Sequence, residues 1–338
     1  MQPHVDTIHL GTLPLSQGGV LEDAKLVYAT WGRLNSAGTN VVLLPTYYTG
    51  THDSYRPWIG SHSALDPDRW FIISPNLFGN GLSSSPSHAQ TPAQRAGFPL
   101  VSIRDNIDAQ HRLLTEHLGV KSVALAMGWS LGAVQSMHWA AAYPAFIRTV
   151  FSICGTASCW PLNRAFLASV RAALAADPAW MDGAYAHDAP PTRGLKAFGR
   201  VYCPWAYSST FFRQALYRTL GFDSIEALLL AWEEEHLAWD ACDLMAMLKT
   251  WEHADIGSLA GQSASKALAN IRAKTIIMPG SCDAYFTAEE ARIEGALIPN
   301  AEVRVLDSPF GHCAGAPGRF EEETRTIAMT AHALLAMA

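Results

Sequence analysis

Residues 123–143 read VALAMGWSLGAVQSMHWAAAY, and the periodicity changes partway along. Val123 to Met127 is a short apolar run with the makeup of a buried strand. From Leu131 to Tyr143 the spacing turns helical, with Ala133, Val134, Met137 and Ala141 on one side. Between the two stands Gly128-Trp129-Ser130-Leu131-Gly132, a G-x-S-x-G. A strand that runs into a helix over so few residues must turn sharply. Small residues two before and two after the serine let the strand and helix backbones approach. The serine then projects above the sheet edge at a helix N-terminus, where backbone N–H groups point outward. A bare G-x-S-x-G is common; one set between a strand and a helix marks a nucleophile. The bland alternative is a glycine-rich turn with an incidental serine.

A serine hydroxyl is a poor nucleophile at neutral pH. It needs a base, and the base needs an acid to fix its tautomer. Two later strands offer them. Asp283 follows the apolar run Thr275 to Met278, and His312 follows Glu302 to Leu306. Other candidates fit less well. His138 lies inside the elbow helix and cannot swing to Ser130, His236 and His253 sit on later helices, and Asp307 is a reserve acid. Acyl transfer also needs two preorganised donors for the oxyanion. The N–H of Leu131, directly after the serine, is one. The loop after the strand Val41 to Leu44, Pro45-Thr46-Tyr47-Tyr48-Thr49-Gly50, supplies the other, with the N–H of Tyr48 the best placed. The bland alternative is that Tyr47 and Tyr48 merely pack that loop.

Composition bounds the rest. The 338 residues are 49% hydrophobic and 16% charged, enough for a large core and too apolar for disorder. A net charge of −6 argues against nucleic acid or an anionic membrane surface as main partner. No leader-like segment and no membrane-length apolar run is evident, so a soluble cytoplasmic protein is expected. The cysteines, at 154, 159, 203, 242, 282 and 313, show no metal-ligand spacing and read as free thiols.

In chain order, strands are expected at Thr7 to Leu10, Lys25 to Thr30, Val41 to Leu44, Trp70 to Ser74 and Thr149 to Cys154, with a helix over Ser102 to Leu118 capped by Ser102. Gly79-Asn80-Gly81 lacks the third glycine and the following helix of a dinucleotide loop, and reads as a shaped loop or turn. From about Trp160 to Ala273 no strand is expected. Helical stretches appear instead at Pro161 to Ala176, Arg193 to Val201, Thr210 to Leu220 and Ser224 to Trp251. Trp160, Trp180, Trp205, Trp232, Trp239 and Trp251 fall in this part, either lining a substrate passage or serving as core or dimer surface. After the strand at 275–278, a helix is expected over Glu289 to Leu297 and another over Phe320 to Met337.

The chain resembles the homoserine O-acetyltransferase branch of the α/β-hydrolase superfamily. The resemblance rests on Gly19-Val20-Leu21-Glu22-Asp23-Ala24, Tyr28-Ala29-Thr30-Trp31-Gly32-Arg33-Leu34-Asn35, Leu65-Asp66-Pro67-Asp68-Arg69-Trp70, the elbow, Asp177-Pro178-Ala179-Trp180 and Ile298-Pro299-Asn300-Ala301. It implies an α/β fold whose core spans 1–159 and 274–338, a mostly parallel sheet flanked by helices, and a helical lid inserted at 160–273. The chain order Ser130, Asp283, His312 is that of the superfamily's triad. The resemblance also implies an acyl-enzyme on Ser130, a lid arginine at Arg171 reaching the substrate, and pairing of lids into a homodimer. This sequence departs from the pattern at the substrate-facing positions. Trp129 and Leu131 stand where glycine and methionine are usual. Cys313 follows the histidine where an aspartate is usual, so the amino-acid acceptor site looks rebuilt. The expectation is therefore a serine esterase acting on a small-molecule ester without metal or bound cofactor. The alternative is an O-acyltransferase with acyl-CoA as co-substrate. A non-catalytic binding protein is the remote third reading.

Overall fold

The alternating branched residues of Val41–Leu43, Val123–Trp129 and Lys274–Met278 point to opposite faces of one sheet. Val41, Leu43, Val123, Ala126 and Ile277 belong to a core on one side. Val42, Leu44, Leu125, Met127, Ile276 and Met278 belong to a core on the other. A sheet buried on both faces must be covered by helices twice, which is the three-layer α/β arrangement.

The computed structural model describes residues 2–338, without the side chains of residues 259 and 260. The strands are β1 (His4–Pro14), β2 (Val20–Trp31), β3 (Val41–Leu43), β4 (Phe71–Pro75), β5 (Val123–Trp129), β6 (Ile147–Ile153), β7 (Lys274–Met278) and β8 (Ala301–Val303). They form one eight-stranded sheet in the order β1-β2-β4-β3-β5-β6-β7-β8. β1 pairs with β2, and β2 with β4, antiparallel; every other pairing is parallel. The helices before β6 are α1 (Pro92–Ala96), α2 (Ile103–Arg112) and α3 (Leu131–Ala142). Between β6 and β7 lie α4 (Pro161–Ala175), α5 (Thr192–Ala206), α6 (Ser209–Arg213), α7 (Ile225–Leu237), α8 (Ala241–Glu252) and α9 (Ala264–Ala269). α10 (Ala288–Gly295) joins β7 to β8, and α11 (Glu321–Leu335) closes the chain.

Several element boundaries differ from the sequence reading, each for a local reason. The Ser102 cap forms as expected, its hydroxyl accepting from Asp105 N and the Asp105 carboxylate accepting from Ser102 N. The helix it starts runs regularly only to Arg112. It then widens into a π-turn over Leu113–His117, where Leu118 N donates to Leu113 O. The single helix expected over Ser224 to Trp251 is two. Asp240 stands between them as the N-cap of α8, its carboxylate accepting from Cys242 N and Asp243 N. The stretch Thr210 to Leu220 breaks at Ala215, whose φ of 53° is left-handed. β8 ends at Val303, although Leu306 N still donates to Pro279 O and keeps the chain beside β7.

Candidate active site

The elbow is a strained turn made possible by its glycines. Ser130 has φ 57° and ψ −127°, a conformation that costs a non-glycine residue energy and persists only when packing holds it. Its N–H donates to Ile153 O at 3.0 Å, and its carbonyl accepts from Ala133 N and Val134 N. A Cβ at Gly128 would lie 2.5 Å from the carbonyl carbon of Gly132, and one at Gly132 would collide with the Pro45 carbonyl and the Tyr55 hydroxyl. Any side chain at either position would push the strand, helix and neighbouring loop apart.

Two parallel strands bring the other groups to the same edge. β7 runs into the segment 279–286, and the carboxylate of Asp283 is fixed there by Tyr285 N at 3.1 Å and Phe286 N at 3.0 Å, both on Oδ1. That leaves Oδ2 for His312 Nδ1, 2.7 Å away. The imidazole is further held by its neighbours. Trp129 lies over it with ring centroids 5.0 Å apart and donates its indole N–H to His312 O. Tyr285 packs on it at 4.5 Å. His312 Nε2 is buried and forms no hydrogen bond among the described residues, Ser130 Oγ included. Catalytic hydrogen bonds in ligand-free enzymes are often long and tighten in the substrate complex.

Ser130 and His312 line one cavity of about 430 Å³. Its walls include Tyr47, Tyr48, Trp129 and Cys313 from the core and Tyr202, Trp232, Glu235 and His236 from the α4–α9 segment. Of the six tryptophans in that segment, Trp232 lines the cavity, while Trp251 is a fully buried core residue. Burial pushes the Cys313 thiol up to about 11, so this position faces the cavity as an uncharged group.

The loop with Tyr48 is braced from beneath. Gln135, on α3, donates to Thr46 O at 2.7 Å and accepts from Gln110 Nε2 at 2.8 Å; Gln110 in turn accepts from Trp139 Nε1 at 2.8 Å. The hydroxyl of Tyr55 donates to Pro45 O at 2.8 Å and accepts from Trp129 N at 3.3 Å. The loop with Tyr48 is thus tied twice to the elbow with Leu131. The N–H groups of Tyr48 and Leu131 take part in no hydrogen bond among the described residues. Asn80, in the Gly-Asn-Gly stretch, donates to Gly50 O at 3.2 Å and to Asn76 Oδ1, which makes this segment a support for the same loop.

Some expectations are corrected. Arg171 does not reach the cavity: it is bound side-on by Glu252 of α8, with Nη1 to Oε2 at 2.5 Å and Nη2 to Oε1 at 3.1 Å. The arginine on the cavity is Arg319, whose Nη2 donates to the Tyr207 hydroxyl at 2.5 Å. Asp307 accepts from Ser281 Oγ and forms no hydrogen bond with His312 among the described residues. His138 is sealed against Ala157 O, and burial pulls it down to about 4. His236, set aside in the sequence with the other helix histidines, does reach the cavity. Gln135 carried the one usable signal among the missed residues, an amide side chain on a mostly apolar helix; Tyr55, Arg319 and His236 carried none.

A family model for the alpha/beta hydrolase fold matches residues 39–197. The ethyl acetate hydrolase of Pseudomonas veronii is 36% identical, over 91% of this chain and 88% of that protein. The homoserine O-acetyltransferase of Trichormus variabilis is 31% identical, over 89% of this chain and 86% of its own. Among solved structures, that of the acetyl esterase MekB superposes with a TM-score of 0.94 at 34% identity, covering 98% of this chain and 97% of that one.

Proposed function

The chain belongs to the α/β-hydrolase family that contains these esterases and acyltransferases, and on that premise we propose how its site works. It is an enzyme, and its esterase relatives support a carboxylic ester hydrolase, which we take to act through an acyl-enzyme. In our reading Ser130 Oγ attacks the ester carbonyl while His312 Nε2 takes its proton. Asp283 holds the Nδ1–H tautomer and offsets the charge of the imidazolium. The N–H groups of Tyr48 and Leu131 receive the oxyanion. Collapse expels the alcohol, which takes the proton from His312. Water, deprotonated by the same imidazole, then releases the acid and restores the serine. No metal or bound cofactor is needed, and activity that survives exhaustive chelation tests that point. The observation that carries the reading is the 2.7 Å bond between His312 and Asp283, in one cavity with a serine on a left-handed turn. The substrate class that fits is a small acetate-type ester, the class named for the two esterase relatives.

The decisive experiment has two parts. A fluorophosphonate should label the intact protein, and Ser130→Ala should abolish both labelling and hydrolysis of ethyl acetate. An unlabelled but folded wild-type protein sinks the serine mechanism and leaves the binding-protein reading.

One observation favours the acyltransferase as second reading. Glu235 and Arg319 both line the cavity, are exposed, and form no ion pair among the described residues. They could hold the ammonium and carboxylate of an amino-acid acceptor. Against it, position 313 supplies no fixed charge next to the histidine. Acetyl transfer from acetyl-CoA to homoserine that outruns ethyl acetate hydrolysis would select this second reading.

A cytoplasmic location and a homodimer are likewise proposals. All six cysteines are free thiols, which suits a reducing compartment. No helix among the described residues is long and apolar enough to cross a membrane. On α7, Ile225 and Leu230 are each almost half exposed, as a contact between copies would require. Light scattering on the purified protein gives the oligomeric state directly.

A further inference from the structure

The cavity holds a second imidazole that the mechanism above does not use. His236, on α7, is only 3% exposed, yet it lines the same cavity as Ser130 and His312. Its Nδ1 lies 2.7 Å from Trp232 O. A carbonyl only accepts, so Nδ1 carries the proton and Nε2 is left as a bare acceptor. That atom has no hydrogen-bond partner among the described residues. It is also not among the sealed unpaired atoms, unlike Nδ1 of His138, and its residue is part of the cavity wall.

The arrangement is built rather than incidental. The ring is flanked by Trp232, Phe198 and Tyr202, with centroids 5.7, 5.3 and 6.2 Å away. α5 passes close enough that a Cβ at Gly199 would lie 2.6 Å from Trp232 O and 3.1 Å from His236 Nδ1. Only a glycine there lets the carbonyl and the ring keep their positions. Burial lowers the affinity of this imidazole for a second proton, so it stays a neutral acceptor where His312 must cycle through its charged form.

A fixed, uncharged acceptor in a wall of aromatic rings selects a neutral donor, and leaving it unpaired by an apolar substrate group carries a penalty. Resting on the esterase reading above, we propose that His236 Nε2 binds a free hydroxyl of the substrate, so that the preferred substrates are hydroxylated esters such as monoacylated diols and polyols. A cavity of about 430 Å³ has room for such a substrate beyond a single short alkyl ester.

The test compares esters matched in length and differing only in the terminal group. The wild-type enzyme is assayed on 2-hydroxyethyl acetate against propyl acetate, and on 3-hydroxypropyl acetate against butyl acetate. The expected result is a kcat/KM preference for the hydroxylated member of about tenfold or more. In His236→Phe the ratio should fall to one or below, and in His236→Gln, which can still accept, part of it should return. Equal rates on both members by the wild-type enzyme overturn the proposal without any variant, as does a preference that His236→Phe retains. If the wild-type protein hydrolyses none of these acetates, it is the esterase reading that fails.

Discussion

At the level of single residues, the site has more supports than reacting groups. Oδ1 of Asp283 is committed to two backbone N–H donors, so only Oδ2 meets His312. In Asp283→Asn the amide oxygen must stay on those donors, and its NH2 then faces Nδ1. That forces the ring proton onto Nε2, the wrong tautomer for a base. We expect kcat to fall about 10⁴-fold with the fold intact, as steady-state rates and circular dichroism would report. Gln135 acts at one remove, through Thr46 O. Losing one oxyanion donor outright costs about 10²–10³ in kcat, so loosening the loop with Gln135→Leu should cost about 10–100-fold, with KM changed far less. A fall in KM-based binding alone, with kcat kept, would mean the relay only shapes the pocket. The sequence exposed Ser130, Asp283 and His312 because each follows a strand, a purely local signal. It hid Tyr55 and Arg319 because their roles depend on partners brought in by folding. Arg171 misled for the same reason: its partner Glu252 lies 81 residues further along.

At the level of elements, helices were visible as apolar stripes, but apart from the Ser102 cap their ends were not. α7 and α8 merge into one stripe in the sequence, and only the cap geometry of Asp240 separates them. The cap also places Asp243, in the first turn of α8, against the 81–88 segment of the core. Its carboxylate is buried and accepts from Ser87 N at 2.8 Å and Ser87 Oγ at 2.6 Å. Burial outweighs those donors and raises it from 3.8 to about 7. The sign follows from linkage. The folded state binds this proton more tightly than the unfolded chain, so the stabilisation is full below about pH 4 and is lost as pH rises through about 7. This is the reverse of a salt-bridged carboxylate, and amounts to a few kcal/mol in order of magnitude. Asp243→Asn removes that proton exchange. Urea unfolding between pH 4.5 and 8 should therefore give a wild-type-minus-variant stability difference that declines with pH; a flat difference would show Asp243 to be ionised throughout.

For the whole molecule, the change of texture near Trp160 marks where the helices α4 to α9 begin, but composition says nothing about whether they fold alone. The packing does. Phe166, Leu167 and Val170 of α4 and Trp251 of α8 lie in the same continuous core as Leu43 of β3, Val134 of α3 and Ile277 of β7. Phe166 stacks on Tyr285, which packs on His312, so the α4–α9 segment and the candidate site share a wall. Glu294 of α10 accepts from Thr156 Oγ1, Ala157 N and Trp160 Nε1, and so clamps the entry to the insertion onto the core. A segment without a core of its own cannot be stable by itself. Unfolding should thus be a single event. Tryptophan fluorescence, weighted toward the insertion by Trp180, Trp205, Trp232 and Trp251, should report the same urea midpoint as far-ultraviolet circular dichroism, which reads the whole chain. Phe166→Ala should lower both midpoints together, by about 3–5 kcal/mol in stability. An early fluorescence transition, with the ellipticity of the sheet retained, would instead mean that the helices leave the core first and that the cavity wall is assembled only in the presence of substrate.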